Sequence, residues 1–66
     1  MKFEKVDEQK RIYVFAGNNR VVFEGVKEVC VRPSGTHRLN LANGNKGVVP
    51  TGWIAIEIEG ITKWSF

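Results

Sequence analysis

The chain has one cysteine, Cys30, and one histidine, His37. A lone cysteine excludes an intrachain disulfide, and one Cys with one His cannot furnish the four ligands of a structural zinc site. No apolar run approaches the roughly 20 residues that span a bilayer. The N-terminal Met1-Lys2-Phe3-Glu4-Lys5 has no apolar core of a secretory signal. A cytoplasmic setting with no membrane contact is the expectation, and a single free thiol fits it. Glycine-rich phosphate loops are missing too. Gly44-Asn45-Lys46-Gly47 lacks the spacing and the Ser/Thr of a P-loop. No segment keeps helical periodicity beyond about two turns, and no metal or cofactor is expected.

Sixty-six residues allow one domain, spanning 1–66, with a small core and marginal stability. Disulfide and metal staples being excluded, stability must come from an efficient β core, from association with copies of the chain, or from both. A homo-oligomer is therefore an open possibility. Ten Lys and Arg against seven Asp and Glu leave a net charge of +3. That is compatible with nucleic acid or with an acidic protein partner, and equally with neither.

The strongest positive signal is Trp53-Ile-Ala-Ile-Glu-Ile-Glu59. Ile54, Ile56 and Ile58 alternate with Ala55, Glu57 and Glu59, the period of a half-buried strand. The expectation is that the other strands gather to cover this isoleucine row. Taken in order, residues 2–6 predict a short first strand and Asp7-Glu8-Gln9 a turn. Lys10 to Ala16 and Arg20 to Glu24 predict a hairpin. A three-residue Gly17-Asn18-Asn19 loop pairs Phe15 with Val21 and Tyr13 with Phe23, collecting the aromatics on one face. A two-residue Asn-Asn loop would pair Phe15 with Val22 instead.

Gly25 beside a phase slip in the run to Arg32 predicts a bend or bulge. Around Pro33-Ser34-Gly35 a second hairpin opposes Arg32 to Thr36, Val31 to His37, Cys30 to Arg38 and Val29 to Leu39. Its inner face is then Val29, Val31, His37, Leu39 and Leu41. Asn43-Gly44 predicts a tight hairpin whose return strand, Asn45 to Val49, turns Val48 inward and ends at Pro50. Ile61 to Phe66 predicts a last strand with Thr62, Trp64 and Phe66 on one side. Five to seven short antiparallel strands in so small a chain read as all-β, a curled sheet or SH3-like barrel. An OB-like barrel is the second choice, since it usually needs more chain and a helix.

Catalytic constellations are weak. A Cys30–His37 nucleophile pair needs contact between the two side chains, but the hairpin register puts them on opposite faces. Glu57 and Glu59 lie about 7 Å apart on one strand face, without the deep cleft a glycosidase requires. No enzyme is expected. Basic residues remain: Arg32 and Arg38 on one outer face with Thr36 and Asn40, and Arg11, Arg20 and Lys46 near strand ends or turns. Trp64 or Trp53 could stack a base. The expected function is a binding module for nucleic acid or a nucleoprotein. The alternative is a protein-interaction module, such as a small inhibitor or adaptor of the kind phages and mobile elements encode, acting on a larger complex.

Overall fold

A computed structural model describes the backbone of residues 2–63 and the side chains of residues 2–60. It is all-β among those residues. Strands β1 (Glu4–Phe15), β2 (Asn19–Val31), β3 (His37–Leu41), β4 (Lys46–Val49) and β5 (Trp53–Lys63) form one antiparallel sheet in the order β4-β3-β2-β1-β5. The first four strands run as a meander, and β5 returns to pair with the far side of β1. The sheet curls without closing, so β4 and β5 remain its edges.

One expected turn is instead a bend within a long strand, and the bend expected at Gly25 forms. Asp7-Glu8-Gln9 lies inside β1, where the ladders to both neighbours shift register. Likewise Gly25 lies inside β2, with φ +66°. Glu8 and Lys10 pair with Val26 and Glu24 on one side and with Ile61 and Glu59 on the other. Gln9 is thereby flanked by Gly25 and Gly60, both at positive φ. Glycine reaches that region at no steric cost. This row is a crease across three neighbouring strands. A Cβ on Gly60 would meet the exposed Gln9 side chain at 2.5 Å, which could swing aside, so the positive φ is what calls for glycine there.

The crease rolls the sheet onto itself. Trp53 of β5 packs on His37 of β3, ring centroids 5.2 Å apart, although two strands separate them in the ladder. Phe23 of β2 lies against Gly47 of β4, skipping β3. The core inside the roll is Tyr13, Val26, Val29, Leu39 and Val49, with Phe15, Phe23, Trp53 and Ile56 packed around it. Tyr13 meets Phe23 edge-on at 6.1 Å.

The Val29–Leu39, Cys30–Arg38 and Val31–His37 pairs form as the alternation predicts. Val31 is the exception on the inner face and stays exposed. The first hairpin differs. Its loop is Ala16–Asn18, so Phe15 pairs with Asn19 and Tyr13 with Val21. Positive φ falls on Gly17 and Asn18, within the expected loop residues, but the loop begins one residue earlier than expected. The register moves by two, which leaves Tyr13 and Phe23 on the same face.

The turn at Asn43-Gly44 holds three residues, closed by Leu41 N–H to Asn45 O at 2.9 Å. That single extra residue flips the returning strand. Gly47 and Val49 turn inward, and Val48 turns outward at 62 % exposure.

The isoleucine row is only partly covered. Ile56 opposite Tyr13 reaches the core, while Ile54 is 69 % exposed and Ile58 36 %. The ladder to β1 shifts between Ala55 and Trp53, so Trp53 rather than Ile54 lies opposite Phe15 and packs inward, and no strand flanks the outer edge of β5 among the described residues.

A Cβ on Gly47 would stand 2.6 Å from the Phe23 ring. Gly47→Ala should destabilise the fold by about 1–3 kcal/mol through overpacking. Urea unfolding of Gly47→Ala, Phe23→Leu and their double variant should show the double costing less than the sum of the singles.

Candidate nucleic-acid interface

The candidate basic residues do not form one cluster. Arg38 and Lys46 come together. Arg38 pairs with Val48 and Asn40 with Lys46 across β3 and β4, which puts all four side chains on the outer face. With Phe3 and Gly47 they line a groove of about 290 Å³. As diagonal cross-strand neighbours, Arg38 and Lys46 sit about 7–8 Å apart at the backbone. Asn40 donates from Nδ2 to Glu28 Oε1 at 2.8 Å. That bond satisfies one of the two Asn40 amide hydrogens and leaves its carbonyl oxygen able to accept.

Arg32 stands at the turn ending the same hairpin, its N–H bonded to Thr36 O at 2.9 Å. Arg20 lies at the opposite end of the sheet, in an exposed ion pair with Glu57 of β5. Trp64 falls outside the described residues.

Arg11 departs most from the expectation. It lies in the middle of β1, buried, and bonds Glu8 through Nη1 at 2.9 and 3.2 Å. Spacing gave no hint of this pair, because residues three apart on a regular strand face opposite ways. The shifted ladder next to the crease brings them together.

From Arg11 the contacts continue inward. Its Nε–H donates to the Tyr13 hydroxyl at 3.0 Å, and Tyr13 Oη lies 2.8 Å from His37 Nδ1. The guanidinium has only donors, so the Tyr13 oxygen accepts from it, and the same hydroxyl shares a hydrogen bond with His37 Nδ1. Burial, followed by the Arg11 charge, holds His37 below its ordinary value of 6.5. Burial likewise pushes the Tyr13 hydroxyl above 10, against the opposing pull of Arg11. Cys30 is buried as well, but it faces away from this chain of contacts as the partner of Arg38. Trp53 Nε1 is buried without an acceptor among the described residues.

Phe3 was missed as a groove residue because its neighbours become visible only once β1 is laid beside β2. No protein-family model, curated protein or solved structure matches this chain.

Two predictions follow from the buried contacts. Arg11→Met strands the Glu8 carboxylate and should cost about 3–5 kcal/mol, whereas Arg11→Met with Glu8→Leu recovers most of it. Denaturant titration of both variants measures this. The second concerns acid. With the folded His37 pKa below the unfolded one, the unfolded chain takes up the proton first. Stability is therefore complete above about pH 6.5 and falls as pH drops through that value. His37→Gln should flatten this loss over the same window in a pH series of melting curves.

Proposed function

We propose that the chain is a non-enzymatic β module that docks on nucleic acid or a nucleoprotein through the β3–β4 face. The observation that carries this reading is the groove where Arg38, Lys46, Asn40 and Phe3 converge. The guanidinium fork and the ammonium suit successive phosphates on one strand. The Asn40 carbonyl offers an acceptor to a base edge, and a Phe3 ring at the groove wall gives a base a surface to stack on. The positive balance of the whole chain supports the approach of a polyanion. Arg32 at the end of the same hairpin extends the basic strip.

A second reading is favoured by Val48, which is 62 % exposed on the same face. Apolar side chains between cations also suit an acidic protein surface, as for an inhibitor or adaptor on a larger complex.

The two readings differ in salt response and in cargo. For nucleic acid, Arg38→Ala with Lys46→Ala should weaken binding of a single-stranded oligonucleotide and lower the slope of log K against log salt by about 1.4. An unchanged slope in fluorescence anisotropy would sink the nucleic-acid reading. A pull-down whose protein partner survives nuclease treatment would favour the second.

A further inference from the structure

The two sheet edges are defended unequally. β4 is four residues long, opens with Lys46 and stops at Pro50, all devices that discourage strand addition. β5 is eleven residues long, and Trp53 to Glu59 contains neither lysine nor proline. Its apolar face is left half bare, with Ile54 at 69 % exposure and Ile58 at 36 %. We propose that the β5 edge pairs with β5 of a second copy, giving a two-fold dimer with one continuous sheet.

The choice of a second copy rests on self-complementarity. The segment is patterned symmetrically about Ile56: Gly52 and Gly60, both at positive φ, bound it, and Ile54 mirrors Ile58. An antiparallel two-fold centred on Ile56 sets each Ile54 against Ile58 of the other copy, and Ile56 against Ile56. The exposed apolar groups then cover one another.

The charges fit the same register. On the opposite face Ala55 meets Glu57 of the second copy, so no two like charges are directly opposed there, and the two Glu57 side chains lie diagonally across the axis. Trp53 is turned into its own core. Arg20 lies in the row of Val14 and Ala55 and already pairs with Glu57 of its own chain. Val14 and Ala55, both uncharged, stand in that row between Arg20 and the incoming Glu57, so the pairing brings a second carboxylate to the row of each arginine.

Light scattering coupled to size exclusion tests this on the full chain. The mass should rise from one copy toward two with concentration. Ile54→Lys, at an exposed position, should weaken association roughly tenfold or more, with circular dichroism and the melting curve showing the fold intact. Val48→Lys on the other edge should leave association unchanged. Register has its own test. A mixture of Ala55→Cys and Glu57→Cys chains should cross-link with a short bismaleimide faster than either variant alone. A monomer at every concentration, a dimer broken by Val48→Lys but not by Ile54→Lys, or cross-linking that ignores the mixture would overturn the proposal.

Discussion

The interior of this protein depends on an unbroken sequence of polar contacts from Glu8 through Arg11 and Tyr13 to His37. A charge buried in so small a core is tolerable only when paired and hydrogen-bonded. Here the guanidinium meets a carboxylate at one end and a phenol at the other, and the phenol hands on to the imidazole. Three of the four residues belong to β1, and His37 brings in β3. The contacts thus span the roll rather than one ladder, and they fix how far the sheet can wind before β3 and β1 lose their common partner.

The same geometry explains why the outer surface carries the groups available for recognition. The inner face is occupied by aromatic rings and by the polar contacts just described. Arg38 and Lys46 reach the outer face because β3 and β4 pair with Asn40 opposite Lys46. A different loop length at Asn43-Gly44 would have turned Lys46 inward and removed half of the groove's charge. The turn chemistry and the basic face are therefore linked through parity alone.

Fold class was legible, and so was one complete hairpin, because two independent alternations in Val29–Val31 and His37–Leu39 agree on a single register. Less could be read where one residue decides parity, as at Val48 and Val49. Asp7-Glu8-Gln9 looks like a turn because its polarity normally signals solvent, and only a buried Arg11 makes Glu8 at home inside a strand. The isoleucine row was recognisable as a strand face, but periodicity says nothing about whether a neighbouring layer reaches it. Of the basic residues, Arg38 and its outer-face setting followed from the hairpin register. The meeting of Arg38 with Lys46 and Phe3 required the order of strands, which is a property of the assembled sheet.

The place of β5 in that order has a kinetic corollary. It is the last of the five strands to be synthesised, yet it pairs with the first. Until it arrives, β1 has an open flank, and Tyr13 lacks the Trp53 ring that packs beside it. Long-range closure of this sort is slow relative to hairpin formation. The nascent meander β1–β4 is therefore the species most exposed to off-pathway strand pairing during synthesis.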